Sequence, residues 1–270
     1  MNRCVGIVAI FVCACGPTTR EPAGQPDAAT SPDSATVVDT PPPQASGPVD
    51  VVITADNAYS FGYGTADTIT TFIQGQRAQT AGQIWNCGEG PEQYTVAAAD
   101  APDGAYLYVV TWDDLAVTQG VLAQFKRDTG TVLTGDDRFE VCATGLDYSG
   151  GANATTGPAQ SIVNAEIAKC NAASGDTNTS KGWVSTTGAS AGTPSALGRL
   201  AVGEANDAAA GTFPIVCQPG QTASPGIDSA AHWMWYDPSD ASSSDAFHST
   251  GVNRTKAFLI FRLAAAAIIL

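Results

Sequence analysis

From Val49 to Leu263 the chain is cut into short runs of β-branched and aromatic residues, and this spacing leaves room for strands but not for long helices. Val49, Val51 and Ile53 alternate with Asp50, Val52 and Thr54, and Tyr59, Phe61 and Tyr63 alternate again after Asp56-Asn57. Further runs lie at 93–97, 105–112, 121–125, 138–143, 182–186, 199–202, 212–217, 231–236 and 257–263. Turn chemistry separates them: Pro102-Asp103-Gly104, Asp128-Thr129-Gly130, Gly135-Asp136-Asp137 and Pro219-Gly220. About ten short strands of this kind predict an all-β fold, a two-sheet antiparallel β-sandwich of jelly-roll-like form over residues 49–270. One segment has a different period. Ile162, Val163, Ile167 and Cys170 recur at helical spacing after Gly157-Pro158, which predicts one short inserted helix.

The segment before the sandwich divides in two. Met1-Asn2-Arg3 precedes an apolar run, Val5 to Ala14, that is too short for the roughly 20 residues a membrane span needs and fits a signal peptide over 1–14. The run ends in Val12-Cys13-Ala14-Cys15, which resembles the lipobox of bacterial lipoproteins, with Ala14 and Cys15 matching and Val12 in the usual place of Leu. The resemblance covers about fifteen residues. It implies that Cys15 carries the lipid, with two or three acyl chains such as palmitate, enough for stable anchoring. Gly16 stands where an inner-membrane retention signal would have Asp, so the implied placement is the cell outer membrane or cell surface. Residues 15–48 hold no aromatic residue and have prolines at 17, 22, 26, 32, 41, 42, 43 and 48. Such a segment buries too little apolar surface to offset its ordering entropy, so it reads as a disordered tether. At about 3.1 Å per residue its reach is at most roughly 100 Å.

Cys87, Cys142, Cys170 and Cys217 lie in the sandwich, an even number for an oxidising compartment, and predict two disulfides. Three connectivities are open; nested pairing of Cys142 with Cys170 and Cys87 with Cys217 is the favoured one. A zinc site is disfavoured, since no Cys-x-x-Cys occurs and the chain has only 2 His. With 26 Asp plus Glu against 12 Lys plus Arg, the net charge of -14 repels phosphate backbones and anionic lipid. Nucleic acid is thereby disfavoured as a partner, and membrane contact is left to the lipid anchor. The composition fixes no oligomeric state.

No nucleophile elbow, zincin motif or phosphate-cradling loop occurs. His232 lies inside the strand Ala231 to Tyr236, where a packing role is expected of it, and His248 is the other imidazole. Glu89, Glu92, Glu140, Glu166 and Glu204 could supply the two carboxylates of a glycan-active hydrolase, although no spacing selects a pair. The acidic pairs Asp56-Asn57, Asp113-Asp114 and Asp136-Asp137 offer oxygen ligands for Ca2+, with Asp113 and Asp114 foremost. The run 105–112 is apolar on both faces, as a strand covered on both sides would be. Its Trp112, together with Trp233, Trp235 and Tyr236, forms the candidate sugar-stacking platform, and Trp85 and Trp183 are further indoles. The function expected from these features is a non-catalytic surface lipoprotein module for glycan or surface-polymer binding, or for cell-surface architecture. The alternative is a secreted hydrolase using paired carboxylates. The C-terminal run 257–270, interrupted by Arg262, is too short for a second span, and its last residues have no evident role.

Overall fold

Alternation sends every second side chain of a strand to one face, and two sheets bury those faces against each other. The computed structural model describes residues 47–56, 58–77, 90–112, 118–148, 157–176, 179–207, 226–239, 244–248 and 257–268. One sheet runs in the order β11 (Arg199–Ala205), β12 (His232–Asp237), β6 (Gly120–Arg127), β1 (Val49–Asp56), β4 (Glu92–Val96), with β7 (Gly130–Leu133) also paired to β6. We call this sheet A. Sheet B runs β10 (Gly188–Ala189), β9 (Val184–Ser185), β8 (Glu140–Asp147), β13 (Ala257–Ala264), β5 (Tyr106–Trp112), β2 (Ala58–Gly64), β3 (Ile69–Arg77). All pairings are antiparallel, so the described residues form an all-β, two-sheet sandwich with the one inserted helix, α1 (Gln160–Asn171).

Register fixes which residues meet. Val51 stands opposite both Tyr94 and Phe125, and Ile53 opposite Ala123, so this face of sheet A turns toward sheet B. Phe61, Val109, Phe261 and Val141 lie side by side across sheet B and answer it from the other layer. All of these apolar residues except the partly exposed Tyr94 belong to one buried cluster.

The outer face of sheet B is buried as well. Tyr108, Val110, Trp112, Cys142, Phe258 and Ile260 form a second cluster with Val163, Ile167 and Cys170 of α1. Strand β5 is therefore covered on both sides, as its two apolar faces predict. Helix α1 has no side-chain N-cap at Ala159, so tertiary contacts position it. Asn164 Oδ1 accepts the Ile69 N–H at 2.8 Å, and the Gln160 amide donates to the Ile69 carbonyl at 2.8 Å, which covers the start of the β3 edge. The expected Cys142–Cys170 disulfide ties α1 to β8. Cys15, Cys87 and Cys217 lie outside the described residues, as does the expected strand at 212–217.

The C-terminal run has a role that its sequence does not announce. After β13, Ala265 and Ile268 turn into the sandwich core. Arg127, only 2% exposed, donates to the carbonyls of Ala265 and Ala101, and Arg138 donates to the Ala267 carbonyl at 2.8 Å. These cations hold the tail against the sandwich core. Among the described residues no helix is long and apolar enough to cross a membrane.

Candidate functional site

The expected indole platform does not form. Trp112, Trp233 and Trp235 are each at most 1% exposed, and Tyr236 is 2% exposed. Alternation places them correctly by face, but both outer faces are covered. Trp112 lies beneath the α1 layer, with Gly157 against its ring at a φ of 58° where a Cβ would stand 2.4 Å from the indole. Trp235 pairs with Ala201 on the outer face of sheet A, and the 3-10 turn Ser244–Phe247 packs on β11 and β12 there. Tyr236 points inward and donates to the Leu197 carbonyl at 3.0 Å. The Trp112 and Trp235 indole N–H groups have no hydrogen-bond partner, which marks both rings as packing elements. Trp183 is also buried; its ring lies 3.7 Å from the Arg262 guanidinium carbon, and its N–H donates to Asn171 at 2.7 Å. Trp85 lies outside the described residues.

The acidic candidates are similarly engaged. Asp56 is buried and accepts from Thr118 Oγ1 at 2.8 Å. Asp136 takes two bonds from Arg138, at 2.7 and 2.6 Å, and that guanidinium holds its carboxyl below the usual range. Asn57, Asp113 and Asp114 lie outside the described residues. Among the described residues no group of three His, Cys, Asp or Glu could hold a metal ion.

The glutamates are dispersed. Glu140 pairs with Arg262 at 2.7 Å and Glu166 with Lys169 at 2.6 Å. Glu204 sits on β11, at the edge of sheet A opposite β4 and Glu92, and Glu89 lies outside the described residues. His232 bonds the Gly203 carbonyl through Nδ1 at 2.8 Å, the packing role its strand position predicts, and His248 forms a backbone bridge to Thr118.

Among the described residues, a partly open cluster of aromatic and acidic side chains lies at the neighbouring sheet edges, here called the mouth. Strands β1 and β2 are consecutive and belong to opposite sheets, so β4, beside β1, and β3, beside β2, are neighbouring edge strands among the described residues. Along β4 the inward Glu92 and Tyr94 are half-buried while Gln93 and Thr95 are exposed. From β2, Phe61 stacks on Tyr94 with centroids 4.9 Å apart and planes at 27°, and Tyr63 lies 6.4 Å from Phe61. Tyr59 donates to Glu92 at 2.5 Å, and its oxygen is 3.0 Å from that of Tyr94. Gly75 of β3 lies flat on the Tyr59 ring, where a Cβ would come within 2.5 Å. Beside it Ile73 is 37% exposed.

Burial, then the neighbouring Tyr94 and Glu92, holds the Tyr59 phenol well above its ordinary range, and burial also raises that of Tyr94. Both are therefore neutral hydroxyls at any physiological pH. The arrangement presents the half-exposed Tyr94 ring near a carboxylate held by a buried phenol, with the half-exposed Tyr63 ring further along β2 beyond Phe61. Rings of this kind can lie against an apolar sugar face while the polar atoms bond its hydroxyls. The sequence names Glu92 and the alternation of Tyr59, Phe61 and Tyr63, but not their meeting; Tyr94 two residues after Glu92 is the signal that could have joined them. Comparison of the chain with protein-family models, with curated proteins and with solved structures gives no match.

Proposed function

We propose that this chain is an exported surface lipoprotein, anchored through Cys15 and a Pro-rich tether, whose sandwich binds a glycan or surface polymer without turning it over. The observation that carries the binding half is the mouth at the β3 and β4 edges, where Tyr94 remains half-exposed two residues from Glu92 and Tyr63 half-exposed beside Phe61, while the other described tyrosine and tryptophan rings of the inter-sheet core are buried. The anchoring half rests on the apolar run that closes at Ala14-Cys15.

Two measurements test the two halves separately. Mass spectrometry of the N-terminal peptide from membrane-extracted protein is expected to begin at an acylated Cys15, and an unmodified terminus beyond it would rule out the anchor. A glycan array and calorimetry on the full chain are expected to show saccharide binding without product release. Tyr94→Ala should weaken that binding about tenfold, the worth of one aromatic stack of about 1 to 1.5 kcal/mol, while its melting temperature moves only a few degrees. Unchanged affinity in both Tyr94→Ala and Tyr63→Ala removes the mouth as the site, and release of shortened sugars makes the chain a hydrolase.

A further inference from the structure

Sheet B is joined at its centre by the strand that, among the described residues, follows every other strand in the sequence. Strand β13 lies between β8 and β5 and pairs with both, from Leu259 opposite Ala143 and Thr111 to Arg262 opposite Glu140 and Tyr108. Without it, no described strand joins β8, β9 and β10 to β5, β2 and β3. Alternation makes the same strand serve both cores. Leu259, Phe261 and Leu263 enter the inter-sheet cluster, while Phe258 and Ile260 enter the cluster beneath α1, and all five are fully buried. Arg262, on the outer face, pairs with Glu140 of β8 and lies against the Trp183 ring. The residues that follow are gripped as well. The Ala265 N–H donates to the Ala105 carbonyl at 2.9 Å, Arg127 and Arg138 donate to the carbonyls of Ala265 and Ala267, and Ile268 is buried. Strand β12 also comes late and lies within sheet A, but it meets β6 only where Met234 stands opposite Val121.

We infer that β5 and β8 form an acceptor slot whose donor strand is segment 257–268, and that the domain stays open until this segment inserts, even when the segment arrives as a separate piece. An unpaired strand edge takes up a further strand through main-chain hydrogen bonds, and pockets for alternate side chains set its register. The slot has two such edges. Its pockets are apolar on both faces, and both clusters lack part of their filling until β13 enters. The pairing is also long-range, so the entropy of closing the loop must be met before slot and segment gain from meeting, which places insertion late. Until then the chain exposes apolar faces and strand edges, the state that proteases and aggregation act on. Closure of the domain is thereby conditional on the arrival of one segment.

The test uses the full chain with a protease recognition sequence inserted between Lys256 and Ala257, which should fold and melt in a single transition before it is cut. It is then unfolded in urea without reductant, cut there, and diluted into buffer with both pieces present. The pieces should elute together and regain the near-ultraviolet signal of the buried indoles, whereas the large piece alone should lose the cooperative melt. A small piece carrying Ile260→Asp should fail to restore the signal, because it places a charge in the cluster beneath α1. A second version needs no insertion: residues 1–256 are mixed with a soluble carrier protein that ends in residues 257–270. The melting temperature should then rise with carrier concentration, as mass action requires when only the closed form holds the segment. A native-like cooperative melt of the large piece alone overturns the inference, since the slot would close without its strand. So does a mixture that stays unfolded in both versions while the unaltered full chain refolds, which would show that insertion needs the covalent link. Restoration by the Ile260→Asp piece equal to that by the unaltered one overturns the assignment of this segment as the donor strand.

Discussion

Trp235→Ala and Trp112→Ala should each destabilise the domain by about 3 to 5 kcal/mol, the range for emptying a large aromatic site in a packed core. Both rings are 0% exposed, one under each outer layer of the sandwich, so neither site opens to water when the ring is removed. For a domain of this size 1 kcal/mol moves the melting temperature by about 2 to 4 °C, so each variant should melt roughly 6 to 20 °C lower. The indole nitrogens sharpen the expectation. Neither Nε1 has a hydrogen-bond partner, so Trp→Phe at the same positions loses ring volume but also removes a buried, unsatisfied donor. The Phe variants should therefore retain much more stability than the Ala variants. Equal losses for Phe and Ala would mean that the indole N–H is engaged, and an unchanged melt in both Ala variants would mean that the rings are not core.

The architecture was readable because its strands are central. Strands β1 and β2 carry period-two alternation, β5, β6, β12 and β13 are compact β-branched and aromatic runs, and each of the six is flanked on both sides. The helix was readable from Ile162, Val163, Ile167 and Cys170, and α1 buries three of those four together with Glu166. Strand β3 escaped sequence reading for a specific reason. Tyr63 stands opposite Thr71 but Gly64 stands opposite Ile69, so Thr70 is an extra residue in the ladder. That bulge shifts the alternation by one, and it leaves Ile69 and Phe72 on the same face at a spacing of three. A strand with such an offset does not read as period two.

What the sequence could not supply is coverage. Alternation separates the faces of β5 and β12 but does not say whether a second layer lies over each one. Here α1 covers one outer face and the turn Ser244–Phe247 the other, so the Trp residues that read as a platform become core. The tyrosines, by contrast, stay partly open because, among the described residues, no strand lies beyond β3 or β4. Glu92 and Tyr59 are 33 positions apart, and nothing local links them. The meeting is a product of topology: it follows from the crossing of the chain between sheets at the end of β1.

Replacing both Cys142 and Cys170 by alanine should cost about 3.5 kcal/mol, the chain-entropy value for a loop closed across a separation of 28 residues. The melting temperature should fall by roughly 7 to 14 °C. The double variant is the proper test because a single one would leave a free buried thiol. Both half-cystines are 2% exposed, so the native bond should resist reductant until the domain opens, and reduction should follow unfolding. The effect should also be uneven across the molecule. Helix α1 lacks a side-chain N-cap, and beyond the disulfide it is held by the Gln160 and Asn164 bonds to β3, by Asn171 and by its contact with the Trp112 layer. Without the bridge, α1 should be the first element to open, exposing Tyr108 and Trp112 while the inter-sheet core stays closed. Hydrogen exchange should then show protection lost first over 160–171, with the amides of β1 and β6 retaining theirs. Uniform loss across both sheets would show instead that the bridge stabilises the whole domain through its unfolded state alone, and a melt lowered by less than about 2 °C would remove the disulfide from the account of this fold's stability.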